Sequence, residues 1–246
     1  MLLRSVNKHV NDQNWVAITN YFYIVVVCVF IGIQVANWND ERKEFAVEEL
    51  YLERLSNDLQ SSISGFQATL DFASESGATV QTFIKQLHSP TISDEDLVQA
   101  AEDYFTDGVF LAGFDPTTTT FDDLRSTGNL RVLRNAELRD ALVELHAEFD
   151  NVEDSFRNNL EWVTPFDSRA ASEFDWLRFD SRTSQLFPEQ AVEQTAIQIR
   201  AYSDQLTRHA AFHYWLKDRA IELIRNAIDI SQDTLNRIEA ERREAT

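Results

Sequence analysis

A run of 24 residues near the start of the chain contains no charged side chain. It extends from Trp15 to Trp38 and reads WVAITNYFYIVVVCVFIGIQVANW. At about 1.5 Å per residue, a helix of this length reaches roughly 36 Å, whereas the hydrocarbon core of a bilayer is about 30 Å thick. Tryptophan at each end is typical of the aromatic belts at membrane interfaces. The run therefore predicts a transmembrane helix.

A buried core helix and a cleaved signal peptide are the alternative interpretations of this run. The run is longer than a usual signal core, and cleavage after Ala36 would place the bulky Gln34 where a small residue is expected. The valines before Cys28 also argue against lipidation of that cysteine. We therefore expect an uncleaved signal anchor. The predicted division is a short cytoplasmic tail at 1–14, the transmembrane helix at 15–38 and a periplasmic helical bundle at 39–246.

The flanking charges leave the orientation of this helix open. Basic residues lie on both sides of it, at Arg4, Lys8, Arg42, Lys43 and Arg54. The positive-inside rule therefore does not decide between the two orientations. Because the first fourteen residues are too few for a domain, the simplest arrangement is a bacterial inner-membrane protein with a cytoplasmic N-terminus and a periplasmic C-terminal domain. A cytoplasmic domain is the alternative.

Acidic residues dominate the chain outside this run. The formal net charge of the 246 residues is −19, and beyond residue 38 there are 20 basic and 40 acidic residues. This balance argues against nucleic acid as a partner, and against a domain that lies on anionic lipid. The single cysteine excludes an internal disulfide framework.

Periodic apolar residues predict an all-α fold, in which the transmembrane helix continues into an elongated extramembrane antiparallel helical bundle. The first apolar seam consists of Leu52, Leu55, Leu59, Ile63, Phe66, Leu70, Ala73, Gly77, Val80, Ile84 and Leu87. Similar seams follow at 138–163 and at 202–238, and the last of them includes Leu223 and Ile230. Prolines predict the ends: Pro90 stops the first helix near His88, Pro165 stops the second, and the last begins after Pro188. The matched lengths of the first and last helices favour an antiparallel pair.

Shorter elements are predicted between the first two seams. Ser93 and Asp96 resemble a capping box that opens a helix to about Thr106. A loop follows at 109–120, and Thr120 is the predicted N-cap of a short helix over 121–127. The aromatic segment at 166–188 is predicted to be irregular.

Two stretches carry a resemblance to a known family. They are IGIQVANWNDERKE at Ile31–Glu44, which contains Gln-x-x-Asn-Trp-Asn, and TFDDLRSTGNLRVLRNAELRDAL at Thr120–Leu142, which contains Leu-x-Ser-Thr-Gly-Asn-Leu. Together they resemble an uncharacterised family of bacterial single-span membrane proteins that carry a domain of unknown function. The chain departs from this family at Glu144-Leu145-His146, where members often have paired tyrosines. The resemblance implies an envelope protein and transfers no catalytic residue.

The Ser126-Thr127-Gly128-Asn129 motif has a structural interpretation. Gly128 can adopt a left-handed conformation that ends a helix, while the hydroxyls of Ser126 and Thr127 bond nearby backbone groups. A ligand-binding turn is the alternative.

Small residues recur every four positions within the predicted span. Cys28, Gly32 and Ala36 form a stripe that allows close approach of another helix, and Gln34 lies near it for hydrogen bonding. The alternative is that small residues are simply common in membrane helices.

His209 and His213 stand four residues apart, which is a spacing typical of metal ligands on a helix. Because no glutamate follows the first histidine and His213 lies in an apolar seam, a packed or hydrogen-bonded core role is favoured over a metal site. The remaining histidines, including His146, have no such spacing. No cofactor is expected, and no motif indicates an enzyme.

Aromatic residues at Trp162, Trp176 and Phe179 form the candidate partner surface. Covering the end of the bundle is the alternative role for them. We expect a membrane-anchored accessory protein without catalytic activity, whose partners are the lipid bilayer and an integral membrane protein complex or a second copy of the chain. A sensory ligand-binding bundle is the second hypothesis, and a metal-dependent enzyme is the third.

Overall fold

The computed structural model describes residues 15–174, 177, 179–180, 185–186 and 191–244. Its elements are α1 (Trp15–Leu87), α2 (Asp94–Asp103), a π-helical turn (Tyr104–Gly108), α3 (Thr119–Ser126), a 3-10 turn (Asn129–Val132), α4 (Ala136–Glu173), β1 (Phe179–Asp180), β2 (Gln185–Leu186), α5 (Val192–Ala201) and α6 (Ser203–Glu244). The two short strands pair antiparallel, with Phe179 opposite Leu186. The predicted all-α class is confirmed.

The chain forms two compact units, and the boundary between them lies within α1. The first unit extends to Glu53 and includes Arg131–Arg134, whereas the second begins at Arg54, extends to Leu130 and resumes at Asn135. The predicted boundary at residue 38 stays a prediction.

The first unit contains the apolar start of α1. Among the described residues, α1 is the one helix long and apolar enough to cross a membrane, and none of its apolar stretch is buried by the rest of the chain. The aromatic and aliphatic side chains from Phe22 to Trp38 are largely exposed. The described chain therefore leaves most of this apolar surface unburied.

Arg134, two residues after the 3-10 turn, contacts α1 within the first unit. Its backbone N–H donates to Oε1 of Glu48 at 2.6 Å, and its Nε lies 3.5 Å from Oε2 of the same carboxylate. The guanidinium carbon also lies 3.4 Å from the ring centroid of Phe45. Glu48 is buried, so this charge-assisted contact satisfies a carboxylate that has lost its water.

The second unit is a bundle in which α6 runs antiparallel to both α1 and α4. Contacts from α1, or from the residue just after it, to α6 join Gln81 to Tyr214 and His88 to Thr207. Contacts from α4 or its N-cap to α6 join Asn135 to Glu241, Glu148 to Asn226 and Trp162 to Trp215. Residue numbers fall along one helix as they rise along the other, so the predicted antiparallel pairing is confirmed.

The apolar seams form the core of this unit. Seam residues of α1 such as Phe66 and Val80 are almost fully buried. In α6 the buried face passes through Ile224 and Ser231, whereas the predicted seam used Leu223 and Ile230. The prediction chose apolar side chains at steps of three and four, but the helical period places the neighbouring positions on the buried face.

The prediction that Pro165 ends the second long helix is wrong. Helix α4 continues through Pro165 to Glu173, and so residues 166–173 of the segment predicted as irregular are helical. Proline inside a helix removes one backbone hydrogen bond and costs about 3 kcal/mol. Beyond it, Ala170 and Phe174 are buried in the core, and their burial offsets this cost.

Two other predicted boundaries also need correction. The last helix is divided into α5 and α6, because Tyr202 leaves helical geometry at φ −102° and ψ 15°. Helix α3 begins at Thr119 with Thr118 as its N-cap, rather than with Thr120 as the cap. By contrast, the Ser93 side chain accepts a hydrogen bond from the N–H of Asp96, as the capping-box pattern predicts.

Polar side chains of α1 hold the segment before α3. Ser62 Oγ accepts from the N–H of Thr117 at 2.9 Å, and the Asp58 carboxylate accepts from the N–H of Thr120 at 2.8 Å. Asp58 therefore satisfies a free N–H in the first turn of α3, which a local capping residue would otherwise do.

Replacing Asp58 with alanine should destabilise the second unit by about 1 kcal/mol, because the N-terminus of α3 loses its cap. The measurement is the free energy of unfolding from circular dichroism in urea. Asp71→Ala is the matched control, since exposed Asp71 accepts a hydrogen bond from Gln67 on its own helix. Equal destabilisation by both variants would contradict the capping role.

Candidate functional site

Four polar side chains meet inside the second unit, and together they are called the Asp–His cluster. Asp167 comes from the part of α4 beyond Pro165, His209 and His213 come from successive turns of α6, and Tyr104 opens the π-helical turn. Tyr104 and His213 are fully buried, and His209 is 4% exposed. The cluster therefore concentrates polar groups in an otherwise apolar core.

The carboxylate of Asp167 is the centre of the cluster. Its Oδ1 lies 2.7 Å from Nε2 of His213 and 3.0 Å from Nε2 of His209. On the other side of the His209 ring, Nδ1 lies 2.6 Å from the hydroxyl of Tyr104. The arrangement links a tyrosine, two imidazoles and a carboxylate in one continuous network.

Aromatic packing holds this network in place. The Tyr104 ring stacks on Phe83 with centroids 4.6 Å apart, and the His209 ring stacks on Phe166 with centroids 5.2 Å apart. Gly108 closes the π-helical turn beside Tyr104, and a Cβ at that position would come within 2.7 Å of the tyrosine ring. Glycine at 108 is therefore required for this placement of Tyr104.

The surroundings shift the proton equilibria of the cluster. Burial alone would raise the pKa of Asp167, but the imidazoles of His209 and His213 stabilise its charged form and lower the pKa to about 2. Burial lowers the pKa of His213, against the opposing effect of the Asp167 charge. Burial, followed by the same charge, raises the pKa of Tyr104 well above its usual value. At neutral pH the cluster therefore contains an ionised Asp167 and neutral His213 and Tyr104.

Two ring nitrogens in the cluster have no directed hydrogen bond within the described part of the chain. They are Nε2 of His209, which lies near Asp167 without suitable alignment, and Nδ1 of His213. Buried imidazole nitrogens are normally bonded to protein or water. Chemically, the cluster offers two imidazole nitrogens and one carboxylate oxygen, and these three ligand atoms lie within 4.8 Å of one another.

Sequence reasoning paired His209 with His213 but missed Asp167 and Tyr104. Asp167 occupies a seam position of α4, since Val163, Asp167, Ala170 and Phe174 follow one another at steps of four, three and four. Extending the seam past Pro165 would have placed a carboxylate on the buried face. The spacing of the seam therefore could have identified Asp167, but the expectation that Pro165 ends the helix removed this segment from the seam.

Lys217 lies one turn after His213 on α6 and is a second buried polar group in the core. Its side chain is 2% exposed, and its ammonium donates to the carbonyl of Phe110. Among the described residues no carboxylate lies within ion-pair distance of it, and burial lowers its pKa to about 8. Lys217 also lines a cavity of about 390 Å³ whose walls are mainly apolar, including Leu111, Phe156 and Leu160.

The other predicted site residues lie apart from the cluster. Cys28, Gly32, Gln34 and Ala36 are all exposed on the apolar stretch of α1. Trp162 is 59% exposed, and its ring lies 6.4 Å from that of Trp215. Trp176 lies outside the described residues, and for Phe179 the structure describes only the backbone of β1.

The Ser126–Asn129 motif forms the turn after α3. Gly128 has a φ of +70°, in the left-handed region that favours glycine. The hydroxyls of Ser126 and Thr127 donate to the carbonyl of Asp123. These local bonds give the motif a structural role.

His146 is a buried histidine separate from the cluster. Its ring stacks on Phe121 with centroids 3.7 Å apart, and burial lowers its pKa to about 4. In the unfolded chain a histidine titrates near pH 6.5. Between these two values the unfolded state binds a proton that the folded state does not, so acidification destabilises the fold.

Lowering the pH from 7.5 to 5 should therefore cost about 2 kcal/mol of unfolding free energy through His146. In His146→Gln, which cannot titrate, the loss of stability over this range should be smaller by that amount in urea denaturation. His88→Gln is the matched control, since His88 is exposed. An unchanged pH dependence in His146→Gln would contradict the assignment.

Comparison with known proteins finds a family but no characterised relative. The model of DUF6090, a family of unknown function, matches residues 21–153, which include both stretches that carry the predicted resemblance and exclude Asp167, His209 and His213. No curated protein and no solved structure matches the chain. Since the match covers more than half of its 246 residues, the chain belongs to the DUF6090 family of unknown function.

Proposed function

We propose that this protein is a single-pass, membrane-anchored accessory protein. In this proposal α1 anchors the chain in a bacterial inner membrane, and the acidic helical bundle associates with an integral membrane protein complex on the periplasmic side. The observation that carries the proposal is the apolar stretch of α1, which is long enough to cross a bilayer and is not buried by the chain. The proposal includes no catalytic activity.

The exposed side chains of this stretch would be unfavourable in water. Phe22, Phe30 and Trp38 are each 60% exposed or more. Burying an aromatic or aliphatic side chain gains roughly 1.5–3 kcal/mol, so leaving a continuous run of them in water would be costly. A bilayer, or a bilayer together with a partner helix, removes this surface from water.

The charge of the rest of the chain supports a partner that is protein rather than lipid surface. Beyond residue 38 there are 40 acidic and 20 basic residues. Anionic headgroups repel such a domain. Association is therefore expected through the stripe of Cys28, Gly32 and Ala36 within the membrane, through the bundle outside it, or through both.

Gly32 offers a test of association that leaves the fold unchanged. Apart from the neighbouring backbone of α1, no atom of the described residues lies within 4 Å of a Cβ placed at Gly32, so a larger side chain meets no obstacle among them. A larger side chain there would, however, obstruct close approach of a second transmembrane helix.

Affinity purification from native membranes in mild detergent should recover integral membrane proteins in stoichiometric amounts with the wild-type chain. Gly32→Leu should reduce their recovery at least threefold while leaving the amount of anchored protein unchanged. Ile33→Leu is the matched control, because it changes shape on an adjacent face without adding bulk. Recovery of the wild-type chain alone, as a monomer by native mass measurement, would contradict the accessory role.

A ligand-binding bundle that signals through a partner is the second candidate function. The cavity of about 390 Å³ beside Lys217 favours it, because the cavity combines mainly apolar walls with a buried ammonium that donates to a backbone carbonyl. A ligand with an anionic head and an aliphatic body would complement both features.

Dodecanoate is a suitable probe for this cavity and should raise the melting temperature of the full chain by several degrees. Lys217→Met should remove that shift, whereas Lys85→Met, which changes an exposed lysine of α1, should retain it. A shift that is equal in all three proteins, or absent from the wild type, would exclude this cavity as an anionic-ligand site.

A further inference from the structure

We propose that Asp167, His209 and His213 form a binding site for a divalent transition-metal ion, with Zn²⁺ as the best-suited ion. The site lies outside the region matched by the family and is independent of the proposed accessory function. Its role would be to join α4 to α6 inside the bundle.

The ligand atoms converge from two helices. His209 and His213 project from the same face of α6, and Asp167 meets them from α4, with its Oδ1 within 3.0 Å of both Nε2 atoms. Two imidazole nitrogens and one carboxylate oxygen are a set that zinc accepts, with water as the fourth ligand.

Hydrogen bonding alone leaves part of the cluster unsatisfied. A single oxygen of Asp167 faces both imidazoles, yet Nε2 of His209 has no aligned bond and Nδ1 of His213 has no partner within the described part of the chain. Both rings are more than nine-tenths buried. An ion between the three side chains would bind the lone pairs of both Nε2 atoms at once and give His209 a directed partner.

The cluster must open slightly to admit the ion. Tetrahedral zinc with bonds of about 2.1 Å separates its ligand atoms by roughly 3.4 Å, whereas Oδ1 of Asp167 now lies 3.0 Å from Nε2 of His209 and 2.7 Å from Nε2 of His213, so these pairs must separate by about 0.4 and 0.7 Å. Asp167 can supply this movement, because its side chain is 40% exposed. A surface pocket lined by Phe166, Arg208 and His209 adjoins the cluster and provides a path for the ion and for water.

A hydrogen bond to Tyr104 orients His209, one of the three proposed ligands. Nδ1 of His209 lies 2.6 Å from the hydroxyl of Tyr104, and an N–H donated there leaves Nε2 deprotonated and directed at the ion. Such bonds to metal-binding histidines are common and strengthen the site. The tyrosine is itself held by Phe83 and the π-helical turn, so the ring orientation is set before any ion binds.

Lys217 is one of the positive charges that oppose binding of a cation, since its charge acts on His213. Its ammonium is buried with a carbonyl as its partner, and so it can lose its proton more easily than an exposed lysine. Asp167 supplies one negative charge to the ion directly.

The test uses the full-length chain in detergent, stripped with a chelator, freed of chelator and then titrated with Zn²⁺ alone. One ion should bind per chain. Asp167→Asn should weaken the affinity at least tenfold, because it removes the anionic ligand while an amide oxygen can still face the histidines. Asp150→Asn, at an exposed position of the same helix, is the matched control and should bind as the wild type does.

Binding of Zn²⁺ with equal affinity by Asp167→Asn and Asp150→Asn, or no stoichiometric binding by the wild type, would overturn the proposal. A second measurement needs no variant. Co²⁺ bound to the wild-type chain should show the strong visible absorption of a four-coordinate ion with imidazole ligands. The weak spectrum of six-coordinate aqueous Co²⁺ would also overturn the proposal.

Discussion

The register between α4 and α6 determines which polar groups meet inside this bundle. The two helices run antiparallel, and contacts from Asn135–Glu241 at one end to Trp162–Trp215 nearer the other hold them at one offset. At that offset the Asp167 carboxylate reaches two imidazoles on successive turns of α6. A slip of one helical turn, about 5.4 Å, would separate them. The cluster therefore depends on packing along the whole length of both helices.

Apolar burial sets this register, and the buried polar groups reduce the stability that it supplies. Asp167, His146 and Lys217 each occupy or adjoin the core, and burial opposes the charged form of each. Apolar residues at these positions would pack without that cost. A sequence that retains such groups departs from the pattern of a purely structural bundle, and departures of this kind are expected at functional sites.

Much of the architecture could be predicted from the sequence, because it depends on local periodicity. The seam of α1, the capping of α2 by Ser93 and the left-handed Gly128 all follow from residues close together in the chain. The errors arose where distant packing overrode a local rule. Pro165 lies inside α4 because the turns beyond it are buried, and Asp58 of α1 bonds the first turn of α3.

The candidate site was only half predictable for the same reason. The spacing of His209 and His213 lies within one helix and is visible in the sequence. Asp167 and Tyr104 join them from distant elements, and their proximity depends on the register of α4 and on the π-helical turn. No spacing rule within a single segment connects these four residues.

We propose that the apolar stretch of α1 holds an acidic helical domain on a membrane. The most direct test is alkaline carbonate extraction of membranes from cells that express the full chain, with the protein measured in pellet and supernatant. Carbonate removes peripheral proteins and leaves those that span the bilayer. We expect the chain to remain in the pellet and to enter solution only when detergent is added. Release of the chain by carbonate alone would contradict this proposal.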